Sequence, residues 1–166
     1  MAESEREAAT RPPQRDELMD TLVQSAFATM AVLNRVCAEN DLSPTLLHVL
    51  AILWDRRGGI TELAGYLGLD KSSMTGLVRR AEKRGLLGRE RNPDDGRGVD
   101  VFITHEGAAL AERIHGRLEH ALSPMTDRLA PADQRRLQTL LQQMQPEEAA
   151  LRSMTAPRHS PPSENS

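Results

Sequence analysis

Residues 63–78 read LAGYLGLDKSSMTGLV, and the spacing of apolar and capping residues in this stretch decides the fold. Leu63 and Leu67 mark the inner face of a short helix that Gly68 ends. Asp70 then caps a second helix. The inner face of that helix carries Met74, Leu77, Val78 and Ala81 at helical spacing. Two short helices joined by a tight turn with a glycine form a helix-turn-helix, so the sequence predicts this motif here.

Helical periodicity also extends upstream of the motif. It predicts a long amphipathic helix over residues 15–39 and a second helix capped by Ser43, with Pro44 in its first turn. We expect the glycine pair at positions 58 and 59 to stop this second helix. Thr61 is then the expected cap of the short helix that follows.

Downstream, Gly85 closes the second helix of the motif and the pattern changes. Residues 87–91 and 99–103 are predicted strands, the second with Val99, Val101 and Ile103 alternating, and turn residues fill 92–98. Thr104 caps a helix that reaches about residue 129, and Pro131 begins the last one. The predicted fold is mainly α with a small β-wing: a winged helix-turn-helix of six helices.

The length of 166 residues and the overall composition are typical of a one-domain globular protein. Because only 2% of the residues are aromatic, we expect a core of helices packed through aliphatic side chains. We predict a domain over residues 15–152, with residues 15–42 and 105–152 as dimerisation helices and 43–104 as the winged helix-turn-helix. Disordered tails are expected at 1–14 and 153–166. With no apolar run long enough to cross a bilayer and no signal-peptide pattern, the expected location is cytoplasmic.

The distribution of charge points to DNA. The chain has a net charge of −3, yet residues 71–97 contain eight basic and four acidic side chains. A basic segment within an acidic protein is typical of a local phosphate-binding surface, although a solvated charged face is an alternative. The polar side chains at the start of the second motif helix could hydrogen-bond to base edges in the major groove. The arginines of the hairpin could contact phosphates or enter a minor groove. The candidate DNA-binding residues are Lys71, Ser72, Ser73, Thr75, Arg79, Arg89, Arg91, Asp95 and Arg97.

Four stretches of the sequence together resemble the MarR family of multiple antibiotic resistance regulators. They are the motif at 63–78, the run EKRGLL at 82–87, the run NPDDGR at 92–97 and the pair Ile103-Thr104. The resemblance implies a homodimer whose two winged lobes read a pseudopalindromic operator. It also implies a repressor released from DNA by a small, often phenolic, ligand or by thiol oxidation. Gly76 and Gly96 stand where many relatives carry arginine, so fewer residues of this chain remain to contact DNA.

The apolar stripes of the long terminal helices support a dimer independently, because the short lobe is too small to cover them. A two-fold dimer sets its recognition helices about 34 Å apart, one turn of B-DNA.

Three inputs could control such a regulator. On the resemblance alone, Arg35, His48 and Trp54 are candidate lining residues of a ligand pocket. Cys37 is a candidate redox site, although its place on an apolar face indicates a buried residue. A possible metal site lies on the helix face shared by Glu112, His115 and Glu119, which His48 could approach. The alternative is that this face is simply solvated.

Other function classes fit less well. The sequence contains no convergent nucleophile and base and no phosphate-binding glycine loop, so we predict no enzyme, cofactor or metal. A winged helix that binds only proteins is the remaining alternative, but it does not require Lys71 and the hairpin arginines.

Overall fold

The structure is a computed structural model that describes residues 17–92 and 98–144. Within these ranges the chain forms six helices and one antiparallel sheet of strand order β1-β3-β2. The elements are α1 (Glu17–Ala38), α2 (Pro44–Ile52), β1 (Gly58–Gly59), α3 (Ile60–Tyr66), α4 (Lys71–Lys83), β2 (Leu87–Arg91), β3 (Val99–Ile103), α5 (His105–Thr126) and α6 (Pro131–Met144). We call the β2–β3 hairpin the wing.

The capping residues expected from the sequence are confirmed at three helices. Ser43, Asp70 and Thr104 each have extended backbone and a side chain that accepts a hydrogen bond from an N–H of the first turn. Gly68 and Gly85 lie just past α3 and α4 with φ of 64° and 71°, a left-handed conformation that favours glycine. These caps and stops fix the lengths of the two motif helices.

Two expectations around the glycine pair are wrong. Gly58 and Gly59 do not simply stop a helix, because α2 ends at Ile52 and the glycines pair with Val101 and Asp100 of β3. Thr61 does not cap α3, since the helix already begins at Ile60 with Gly59 as its cap. The Glu62 carboxylate accepts from the Gly59 N–H at 3.0 Å and so satisfies the backbone donor of the cap residue.

The core joins α2, α3, α4 and the sheet to the inner faces of α1 and α5. Its fully buried side chains include Leu50, Leu63, Met74, Val101 and Ile114. Because α4 packs through its apolar face on this core, its opposite face is directed outward.

The expected alternation along β3 holds only in part. Val99 is 43% exposed, whereas Asp100 is only 7% exposed. Val99 lies opposite Arg91 at the outer end of the wing, where no core is available to cover it. The Asp100 carboxylate tolerates burial because the Asn92 side-chain amide donates to it at 3.1 Å.

Large apolar side chains remain exposed along α1 and α6. They include Leu18 and Phe27 of α1, and no residue of α6 is buried. None of the helices in residues 17–92 and 98–144 is long and apolar enough to span a membrane.

Candidate nucleic-acid interface

The first turn of α4 is organised around the Asp70 carboxylate. It accepts from the Ser73 N–H at 2.8 Å and from the hydroxyls of Ser72 and Ser73 at 2.5 and 2.6 Å. These hydrogen bonds, above all the one from the Ser72 hydroxyl, hold the pKa of Asp70 well below its usual range. The carboxylate is therefore ionised at neutral pH, and both serine hydroxyls present acceptor lone pairs outward.

The exposed face of α4 continues from this turn with basic side chains. Lys71 and Arg79 are exposed and have no carboxylate within ion-pair distance among the residues described. The Thr75 hydroxyl donates to the Lys71 carbonyl at 2.7 Å, which leaves its lone pairs free to accept. Lys71 and Arg79 thus lie on the exposed side of α4 together with three hydroxyl groups that can accept hydrogen bonds.

The wing is attached to α4 by an ion pair. Arg89 Nε lies 2.9 Å from a carboxylate oxygen of Glu82, so this predicted DNA contact also braces the wing against α4. Arg91 is exposed at the end of β2, on the same strand face as Arg89. Asp95 and Arg97, both predicted site residues, lie outside the described residues, as does Gly96.

The opposite face of the wing is held by Arg57. Its guanidinium lies 5.0 Å from the centroid of the Phe102 ring and forms an ion pair with Glu90. The Phe102 ring in turn covers Gly88, where a Cβ atom would overlap the ring. The segment before β1 and the two wing strands therefore form one packed unit.

A compact set of backbone contacts joins the base of the wing to α4 and α5. The Thr104 hydroxyl donates to the Gly85 carbonyl at 2.5 Å, and the Thr104 N–H donates to the Leu86 carbonyl at 3.1 Å. Gly107 packs against this turn so closely that a Cβ atom there would overlap the Leu86 carbonyl oxygen. The end of α4 and the start of α5 thus have a fixed relative position.

A large cavity of about 1080 Å³ lies between α1, α2 and α5. His48 and Trp54, two of the predicted pocket residues, line it together with Glu112 and His115. The third predicted residue, Arg35, lies in a different groove. The cavity wall is otherwise mostly aliphatic, with Met30, Leu33, Leu47, Ile52, Leu67, Leu69 and Leu118.

In the part of the chain that the structure describes, acidic and histidine side chains do not converge on a metal position. Within the two described ranges, no three His, Cys, Asp or Glu residues are grouped so that they could hold an ion. Glu112 and His115 face the large cavity, whereas Glu119 is not part of its lining.

Cys37 lies 1% exposed in the core, and burial raises the pKa of its thiol. We expect it to react with Ellman's reagent at least about a hundredfold more slowly in the native protein than in urea, because attack requires local opening. Native and unfolded rates measured by absorbance would check this. Equal rates, or loss of DNA binding after mild peroxide treatment, would contradict it.

Sequence reasoning missed several residues of this interface. Glu82 and Arg57 were not identified, because each contacts a partner in another element and nothing in their local spacing indicates it. Arg84 is a third case, with its guanidinium donating to the Asp41 carbonyl at 2.6 Å.

Comparison with known proteins gives a consistent result. A family model described as MarR family matches residues 42–99. The HTH-type transcriptional regulator TtmR of Methylorubrum extorquens (strain PA1) is 29% identical over 111 residues, 66% of this chain and 56% of that protein. The multiple antibiotic resistance protein MarR of Salmonella typhimurium is 35% identical over 88 residues, 52% of this chain and 60% of that protein.

The chain thus spans little more than half the length of these two relatives. Among solved structures, a mutant MarR from Escherichia coli in complex with operator DNA is similar, with a TM-score of 0.63 and 26% identity. The similarity covers 79% of this chain and 95% of that one.

Proposed function

We propose that the chain is a MarR-family transcriptional regulator that binds double-stranded DNA sequence-specifically as a homodimer. We further propose that it is a repressor and that a small-molecule ligand releases it from DNA. The outward face of α4 carries the proposal: its capped, polar first turn is followed by cations that have no carboxylate within ion-pair distance among the described residues. The Arg89–Glu82 ion pair holds a basic wing beside that face.

DNA recognition would be divided between the two parts of this surface. The first turn of α4 has the size and the acceptor groups to read base edges in a major groove, while Lys71 and Arg79 neutralise phosphates. The wing arginines are suited to the adjacent backbone or minor groove. Ser72 and Ser73 already donate to Asp70, so they would accept hydrogen bonds from the exposed amino groups of cytosine or adenine.

Selection from a random double-stranded DNA library with the purified protein tests this proposal. Enrichment of an inverted repeat with half-site centres about 10 base pairs apart is expected. Recovery of no sequence preference, together with capture of a protein partner, would instead favour a winged helix that binds only proteins.

We propose that the exposed apolar stripes of α1 and α6 form the dimer interface. Light scattering at micromolar concentration should therefore give the mass of two chains. Replacing Phe27 and Leu140 by glutamate should shift the protein to monomer, because charges would then have to be desolvated in the interface. Ala28→Glu, at an exposed position of α1 on a different side from Leu18 and Phe27, is the matched control. A wild-type mass of one chain would contradict the proposal.

The large cavity is the proposed ligand site. It has the volume of a small-molecule pocket, an aliphatic wall and a few polar groups, which suits a small phenolic ligand. Titration with 4-hydroxybenzoate should quench the emission of Trp54, the one tryptophan of the chain, and release DNA in parallel. His48→Ala should weaken both effects by roughly tenfold if His48 hydrogen-bonds the ligand. Quenching without DNA release would contradict control by this cavity.

A further inference from the structure

A second groove, distinct from the large cavity, lies between the end of α1 and another face of α5. Its volume is about 480 Å³. Arg35, Arg113, Arg117 and His120 line it, and Glu39 is the one carboxylate in its lining. Positive charge therefore dominates this groove in a chain whose net charge is −3.

The arginines of the groove differ in how they are paired. Arg117 lies 3.3 Å from the Glu39 carboxylate and donates to the Asn40 side-chain oxygen at 3.0 Å. Arg113 donates to the Ala109 carbonyl of its own helix at 3.1 Å. In residues 17–92 and 98–144, neither Arg113 nor Arg35 has a carboxylate within ion-pair distance. Among the described residues, the guanidiniums of Arg35 on α1 and Arg113 on α5 thus have no carboxylate as an ion-pair partner.

Gly116 leaves the floor of this groove open. It lies in the interior of α5, where glycine is among the least favourable helix residues. Apart from the backbone of α5 itself, a Cβ atom at this position would meet no described atom within 4 Å, so packing among the described residues does not require a glycine. The missing side chain gives a ligand direct access to the space between Arg35 and Arg113.

We propose that this groove binds the phosphate group of a small metabolite, with Arg35 and Arg113 as its clamp. The guanidinium fork matches phosphate oxygens in geometry, and the net charge of +2 from three arginines and one glutamate suits a dianion. Because the clamp joins α1 to α5, the bound anion would stabilise the packing of the two long helices. The site is independent of the DNA-binding surface on α4 and of the large cavity.

Calorimetric titration of the full chain with inorganic phosphate and with glycerol 3-phosphate, at constant ionic strength, tests the proposal. One anion per chain should bind. Binding of the ester as tight as or tighter than that of inorganic phosphate would identify an organic phosphate as a ligand, whereas tighter binding of inorganic phosphate would identify free phosphate. The double variant Arg35→Gln/Arg113→Gln should bind at least about tenfold more weakly. Gly116→Leu should also weaken binding by filling the groove, while Arg128→Gln, outside the groove, should bind like the wild type.

Four results would overturn the proposal. The first is no binding of either anion to the wild type, and the second is an equal loss in the Arg128→Gln control. The third is an equal loss of DNA affinity in the Arg35→Gln/Arg113→Gln variant, which would mean that the arginines contact the DNA backbone. The fourth is conversion of the Gly116→Leu variant to a monomer, which would mean that the groove is an interface between two copies of the chain.

Discussion

Replacing Lys71 and Arg79 together by alanine is expected to weaken binding to the selected DNA site by about a hundredfold or more. Both side chains are exposed on the outward face of α4 and are not neutralised by a carboxylate of the described structure. Their contacts with phosphates release counterions, so the slope of log K against log salt should also decrease by about 0.9 for each contact removed. Fluorescence anisotropy with labelled DNA at several salt concentrations measures both quantities.

The control for this prediction is a pair of arginines on α6. Arg135 and Arg136 are likewise exposed, but they lie on the helix farthest along the chain from α4. Replacing both by alanine should leave the affinity and the salt slope within error of the wild type. Equal losses in the two double variants would show that general charge, and not the face of α4, attracts the DNA.

Replacing Gly107 by alanine is expected to lower the free energy of unfolding by about 3 kcal/mol. The new methyl group would overlap the Leu86 carbonyl oxygen and press on Ile103, and backbone atoms cannot move away as a flexible side chain can. The hydrogen bonds that Thr104 makes to Gly85 and Leu86 would be distorted with it. Since this turn fixes the wing relative to α4, DNA affinity should fall as well.

Gly116 provides a matched control in the same helix. Beyond the backbone of α5, a methyl group there meets no atom of the described structure within 4 Å, so Gly116→Ala should leave stability unchanged or raise it by up to about 1 kcal/mol. Urea unfolding followed by circular dichroism gives both values from the same experiment. Equal stability of the two alanine variants would contradict the close packing at Gly107.

Local signals in the sequence were sufficient to predict the helix-turn-helix and the wing strands. The caps Ser43, Asp70 and Thr104 and the stop residues Gly68 and Gly85 act within one helical turn, so their effects depend on neighbouring residues alone. The expectations failed where tertiary pairing decides the outcome. Two glycines show none of the apolar alternation that predicts a strand. Gly58 and Gly59 form β1 because their backbone pairs with the edge of β3.

The candidate site was predictable in its residue types but not in its connections. Lys71, Ser72 and Thr75 were identified from their place after a cap, which is a local feature. The ion pair of Arg89 with Glu82 and the stacking of Arg57 on Phe102 join residues that meet only after the wing has folded back. Similarly, the separation of Arg35 from His48 and Trp54 follows from which side of α1 each groove occupies, and helical spacing does not determine this.

In the proposed complex, two copies of α4 read the two halves of one inverted repeat, each with a wing beside it. Hydroxyl-radical footprinting of the wild-type protein on its selected DNA is the decisive experiment. We expect two-fold symmetric protection, with the two protected centres about 10 base pairs apart and flanking protection from the wings. A single asymmetric patch, or protection spread evenly along the DNA, would contradict it.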